Sequence, residues 1–230
     1  MKKHTFWILL LITVVCYGES NFDRGQGLFM QNNPAQAVGF LERALAEDPA
    51  NTLIYLYLGV TYEQLNRADD AIAIYRRILP RAGNLSANVA NNLGNVYFQR
   101  GNTDEAERFF TQAIDFNAVY PQAFLGRANT RIKSGNFQNA IADYEKYLSL
   151  EPNASQRVFI EQLVNIVQSE IAAEEMRRAI ITEEARRLAE ERQRLLDSVS
   201  ASLQSAADAS QGLSTGAESV RQYDGEFELD

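Results

Sequence analysis

The residues that most often carry chemistry are nearly missing from this chain of 230 residues. It has one histidine, His4, and one cysteine, Cys16, both within the first 18 positions. Once that stretch is removed, no imidazole base, thiolate nucleophile or common zinc ligand set is left. Gly25-Gln26-Gly27 falls in a helical stretch and lacks the lysine of a phosphate-cradling loop. Carboxylates are plentiful but spread over polar helix faces and an acidic C-terminal stretch, so no acid–base pair is expected among them. The reading is therefore not an enzyme, with no cofactor and no metal. The formal charge is −8 and no basic run dominates, which sets nucleic acid aside, because that partner needs a positive footprint.

What remains is a row of amides. Asn88, Asn91, Asn92 and Asn95 recur at the spacing of one helix face. Each side chain offers two N–H donors and a carbonyl acceptor, a set that can read the backbone of an extended peptide. Asparagine is a mediocre helix former, so four in one helix call for a reason beyond local conformation. The alternative is a solvated polar face.

The elements that position this row repeat along the chain. Tyr57-Leu58-Gly59-Val60-Thr61-Tyr62 and Asn92-Leu93-Gly94-Asn95-Val96-Tyr97 are matching frames 35 residues apart. Ala37, Ala71, Ala106 and Ala140 follow at intervals of 34, 35 and 34, each within a second helix. Gly101 and Gly135 are 34 apart, Asn32 and Asn66 hold the same turn position, and the extra residue falls in Arg81-Ala82-Gly83-Asn84. A self-similar period of this length marks a repeat array.

The pattern resembles the tetratricopeptide repeat (TPR), in an exported form of bacterial type. The second copy (52–85) supplies Tyr55, Leu58, Gly59, Tyr62, Ala71 and Tyr75. The third (87–120) supplies Leu93, Gly94, Tyr97, Gly101, Ala106, Phe110 and Ala113. The fourth (121–154) supplies Phe124, Ala128, Gly135, Ala140, Tyr144 and Pro152. The first (18–51) is weaker, with Gly25, Leu28, Ala37, Leu41, Ala44 and Pro49, and Pro34 opening its second helix. Arg131 stands where the fourth copy should carry tyrosine, so its packing or partner surface is expected to be unusual.

The resemblance implies an all-α, right-handed helical solenoid of four helix–turn–helix repeats, with small residues where paired helices approach and aromatic residues filling the gaps. It also implies a concave groove lined by first helices. The partner-facing candidates are Tyr57, Asn88, Asn91, Asn92, Asn95, Gln122, Asn129 and Lys133, with Leu56, Val60, Phe98 and Leu125 beside them. Some family members clamp a C-terminal carboxylate with lysine, asparagine and arginine. Here Phe22, Gln122 and Gly126 occupy three of those places, so that mode is not expected.

Residues 155–203 read as a capping and then extended charged helix. Ser155 is the expected N-cap, and Phe159, Leu163, Ile166, Val167 and Ile171 are expected to cover the last repeat. Glu174–Arg178, Glu183–Arg187 and Glu190–Arg194 are spaced as i,i+4 pairs worth roughly 0.3 kcal/mol each. Ile181, Ala185, Leu188, Leu195 and Val199 form a seam interrupted by Arg192, which fits a solvated single helix or a short coiled coil. Residues 204–230 read as a flexible acidic tail. The function expected is that of an exported adaptor binding a protein or peptide partner in the groove. The alternative is an envelope scaffold self-associating through 170–203.

Residues 1–18 read as a signal peptide: Lys2-Lys3, an apolar run from Phe6 to Val15, then the small residues Gly18 and Ser20. The run is shorter than the roughly 20 residues that span a bilayer. Cys16 stands where a bacterial lipoprotein would be acylated, which would tether the chain to a membrane, but Val15 before it is not small. The expected location is the periplasm or envelope, with the soluble form favoured over the lipidated one. Intact-mass measurement of the native protein is expected to show cleavage between Cys16 and Asn21 and no acyl increment. Retention of residues 1–15 would overturn export, and acyl mass on Cys16 would overturn the soluble form.

Overall fold

The computed structural model describes residues 19–221, with side chains described to residue 210. The signal-peptide and Cys16 expectations lie outside these residues, as do the last nine. Every regular element among the described residues is helical. Four antiparallel pairs follow one another: α1 (Asn21–Met30) with α2 (Pro34–Glu47), α3 (Thr52–Gln64) with α4 (Ala68–Ile78), α5 (Ser86–Gln99) with α6 (Thr103–Phe116), and α7 (Pro121–Ser134) with α8 (Phe137–Leu150). A ninth helix, α9, runs Arg157–Arg221. Each pair packs on the next, and the first helices α1, α3, α5 and α7 also touch in series. This is the helical solenoid implied by the repeat pattern, and residues 19–154 hold all four copies.

Local chemistry sets the helix boundaries. Ser20 caps α1, its Oγ accepting from the Asp23 N–H at 3.0 Å and donating to the Asp23 carboxylate at 2.6 Å. Asn33, Asn51 and Asn102 cap α2, α3 and α6. Pro34 sits at the start of α2, where its missing N–H costs nothing. The turns inside the four pairs use Asn32 (φ 55°), Asn66 (φ 58°), Gly101 (φ 77°) and Gly135 (φ 79°). Asparagine is among the few side-chain-bearing residues that enter this left-handed region readily. The extra residue between the second and third copies is absorbed by two short 3₁₀ turns, Leu79–Arg81 and Gly83–Leu85.

The core is built from rings laid on residues without side chains. Tyr75 lies against α3 so closely that a β-carbon on Gly59 would sit 2.2 Å from its ring. Phe110 is held the same way between Gly94 and Gly126, whose β-carbons would come within 2.7 and 2.3 Å. Phe110 thus joins the third copy to the fourth. Tyr97 stacks on Phe109 at 5.4 Å and 5°.

The Tyr75 hydroxyl reaches across to Glu63, donating to its carboxylate at 2.7 Å. Burial pushes the Glu63 carboxyl up from its ordinary range, and the tyrosine hydrogen bond only partly offsets this. Burial, followed by the nearby Glu63 charge, holds the Tyr75 hydroxyl well above the usual tyrosine range.

The odd residue of the fourth copy is a structural ion pair. Asp143 is 5% exposed and binds two arginines that are 14% and 15% exposed. Arg127 engages it with both Nε and Nη2 at 2.8 Å, and Arg131 adds Nη1 at 2.7 Å. Arg131 also reaches Glu107 of α6 at 2.7 Å, and Arg127 reaches Thr111 at 3.1 Å. The arginine in place of tyrosine therefore ties α7 to both α8 and α6.

Beyond the repeats the structure departs from expectation in three ways. Helix α9 starts at Arg157, two residues after Ser155. Its covering face is Ile160, Leu163 and Val164, packed on Phe124, Tyr147 and Leu148, whereas Phe159 and Ile166 are exposed. The face that packs on α7 and α8 is therefore turned toward Ile160 and Val164, and Phe159 and Ile166 fall at its outer edge. Second, Glu183 and Glu190 both pair with Arg186, at 2.7 and 2.6 Å, rather than with Arg187 and Arg194. Glu174 pairs with Arg178 as expected, at 3.0 Å. Third, α9 continues past residue 203 to Arg221. That stretch has no proline to stop the helix, and its four alanines stand against four serines and two glycines. Residues to Val167 form one compact unit and those from Gln168 another.

Two consequences follow for stability. Asp143→Ala leaves two arginines without their shared carboxylate in a closed site, so urea unfolding is expected to show a loss of about 3–5 kcal/mol. Glu63 has a raised folded-state pKa, so its contribution is fully present below the unfolded value of about 4.3 and is lost as pH rises through the folded value. Glu63→Gln, which keeps an acceptor for Tyr75, is expected to match the parent at acid pH and exceed it in urea midpoint at neutral pH. Equal midpoints at both pH values would contradict the burial of a strained carboxylate.

Candidate functional site

Successive first helices lie side by side, so residues at equivalent positions of α1, α3 and α5 converge. They enclose a cleft of about 250 Å³ lined by Phe29, Leu53, Leu56, Tyr57, Val60, Asn88 and Asn92. Its two sides differ in chemistry. The first two copies supply an apolar wall, and α5 supplies two carboxamides.

Each wall is held in place. Tyr57 meets Phe22 and Phe29 edge to face, at 5.8 and 5.2 Å between ring centres, the geometry that ring quadrupoles favour. Its hydroxyl accepts a 2.7 Å hydrogen bond from the Gln26 amide. On the other side Asn92 donates to the Tyr75 hydroxyl at 3.3 Å, continuing the chain to Glu63. Asn88 donates to the Tyr120 hydroxyl at 3.3 Å. Both amides are thereby oriented by one N–H, and among the described residues no protein partner holds their carbonyl oxygens.

The sequence-derived candidates divide into three groups. Tyr57, Asn88 and Asn92 come together in the cleft. Asn95 continues the same face of α5, half-buried, while Gln122, Asn129 and Lys133 lie further along, exposed, on α7. Asn129 accepts from the Tyr144 hydroxyl at 2.7 Å, and the Lys133 ammonium stands 5.2 Å over the Phe98 ring. Asn91 is the exception. It is buried, and its Oδ1 is the one buried side-chain polar atom among the described residues without a hydrogen-bond partner. It faces neighbouring helices rather than open groove, because residue 91 lies between the outward face and the seam with Ala90 and Leu93.

Three contributors were missed: Phe29 and Gln26 of the first copy and Leu53 of the second. They stand at positions equivalent to Phe98, Asn95 and Asn88 in the third copy. The repeat numbering therefore pointed to them, but the weak match of the first copy hid the equivalence. Among the described residues no cluster of histidine, cysteine and carboxylate side chains could hold a metal ion. No described helix is long and apolar enough to cross a membrane.

Comparison with known proteins agrees with the geometry. Three family models, each described as Tetratricopeptide repeat, match residues 28–91, 87–118 and 121–154, together more than half of the chain. The mouse protein O-mannosyl-transferase TMTC3 is 27% identical over 143 residues, which is 56% of this chain and 16% of that one. The DnaJ homolog subfamily C member 7 homolog of Dictyostelium discoideum is 25% identical over 144 residues, 56% of this chain and 27% of that one. The chain thus spans under a third of the length of either relative. Among solved structures, MamA superposes with a TM-score of 0.57 at 24% identity, covering 65% of this chain and 79% of that one. Pseudomonas aeruginosa pilF gives 0.58 at 21% identity, covering 66% and 68%. Both likenesses concern the fold. With repeat spacing, helix pairing and family models in agreement, the chain belongs to the tetratricopeptide repeat family.

Proposed function

We infer that this protein is an exported adaptor that grips an extended segment of a protein partner in the cleft between α1, α3 and α5. The observation that carries this reading is the two-sided cleft. One apolar side chain of the partner fills the space walled by Phe29, Leu56, Tyr57 and Val60. The amides of Asn88, Asn92 and Asn95 bind the neighbouring backbone, whose N–H groups meet their carbonyl oxygens. The family's repeats serve as a protein-binding scaffold, which supports this reading. The basic start and the ten-residue apolar run before the first helix support export to the periplasm or envelope. Val15 beside Cys16 supports a soluble over a lipidated form.

A photo-crosslinking residue placed at Val60 is expected to capture a discrete partner in cells. Combining it with Asn88→Ala, Asn92→Ala and Asn95→Ala is expected to reduce capture at least about tenfold, the loss of one or two net hydrogen bonds. Helicity by circular dichroism is expected to hold, because these side chains lie off the buried face. Undiminished capture by the triple variant would remove the amide row from the binding site.

A further inference from the structure

Helix α9 beyond Gln168 carries a surface that the groove reading leaves unused. Ile181, Leu188 and Leu195 recur every seven residues and are 65%, 66% and 65% exposed. A helix advances 100° per residue, so they form one stripe, extended by Val199. The ion pairs Glu183–Arg186 and Glu190–Arg186, with the Gln193–Asp197 hydrogen bond at 2.9 Å, lie on the opposite side of the helix. The polar back thus carries these pairs, with Arg187 and Arg194 beside them in no ion pair among the described residues, and the apolar front is left open. In the middle of that front stands Arg192, which makes no ion pair among the described residues, and neither does Glu191 beside it.

These charges select the occupant. With Ile181, Leu188 and Leu195 at the d positions of a heptad, the a positions are Ile171, Arg178, Ala185, Arg192 and Val199, and Glu174 is a further d residue. A parallel pair of such helices would set Arg178, Arg192 and Glu174 each against its own copy, three layers of like charge. An antiparallel pair centred on residue 183 places every a residue against the d residue whose number completes twice 183. Arg192 then meets the partner's Glu174, a carboxylate that also holds Arg177 and Arg178 of its own helix, Leu195 meets the partner's Ile171, Ala185 meets the partner's Ile181, and Arg178 meets the partner's Leu188. On the flank, Arg177 comes beside the partner's Glu191. Each contact occurs twice by symmetry, against one like-charge approach, Glu184 to its own copy on the axis. Sliding the pair to other heptad registers leaves Arg192 on the seam without a carboxylate opposite. The favoured overlap runs over residues 168–198, about 46 Å of helix, and begins where the second compact unit begins.

We propose that two copies of this chain associate through an antiparallel coiled coil of residues 168–198, with Arg192 of each helix paired to Glu174 of the other. This goes beyond the groove reading and does not depend on it. The test uses the full chain carrying Cys16→Ser. Sedimentation equilibrium is expected to give about twice the 25.8 kDa chain mass. Arg192→Glu is expected to raise the dissociation constant at least about tenfold with helicity unchanged, and adding Glu174→Arg is expected to restore association in part, because that change also removes the pairs of Glu174 with Arg177 and Arg178 in its own helix. A short bis-maleimide is expected to link Glu184→Cys to its own copy, and Ile171→Cys to Leu195→Cys in a mixture. It is not expected to link Leu195→Cys to itself, because the antiparallel register separates those residues by about 36 Å. A single-chain mass, self-linking at Leu195, or failure of the charge swap to restore association would each overturn the proposal.

Discussion

The arrangement depends on aromatic rings laid on residues that have no side chain. Tyr75 on Gly59, and Phe110 between Gly94 and Gly126, set how closely one helix approaches the next. Because protein interiors are packed without slack, that separation cannot relax locally. A bulkier residue at any of the three glycines would push a whole helix outward. The side-by-side order of the first helices, and with it the cleft, follows from this constraint. The same tyrosine then extends its hydroxyl to Glu63 and receives Asn92, so the residue that fixes the core also orients one wall of the site.

Polar groups are treated in two opposite ways in neighbouring repeats. In the fourth copy Asp143, Arg127, Arg131, Glu107 and Thr111 satisfy one another and are largely closed to water. In the third copy the amides of Asn88 and Asn92 are steadied by one tyrosine each, and among the described residues their carbonyls have no partner. Asn91 is buried with an unpaired Oδ1 in the same helix. Buried polar atoms are nearly always partnered in native proteins, which makes this helix the least self-sufficient polar element of the repeats. The distinction between a rigidifying network and an incomplete one separates the polar residues of these two repeats more sharply than polarity alone.

Much of this was legible in the sequence because repeat proteins write their packing periodically. The alternation of Asn32, Asn66, Gly101 and Gly135 marked each left-handed turn, and the alanine series marked each second helix. Periodicity stops being sufficient where neighbours decide. It showed that residues 159–171 carry apolar residues, but not that Ile160, rather than Phe159, meets α8. It flagged Arg131 as foreign to the pattern, but its partners Asp143 and Glu107 are 12 and 24 residues away and carry no motif. It grouped Asn91 with the open amides, because one residue of rotation separates the seam from the groove. The weak first copy hid Phe29 and Gln26, since a pattern match rewards core positions and is silent about variable ones.

The cleft borrows one wall from the first repeat, which among the described residues has a folded neighbour on one side only. In a solenoid each unit is held chiefly by those adjacent to it, so the seam between the first two repeats and the cleft open together. Whenever α1 and α2 lift away, Phe22, Gln26 and Phe29 leave Tyr57 together, and the apolar half of the cleft ceases to exist. Occupancy and local order are then two readings of one equilibrium. A segment seated there would clasp the first repeat to the second, and the ease with which that seam opens would set a ceiling on how tightly the clasp could hold.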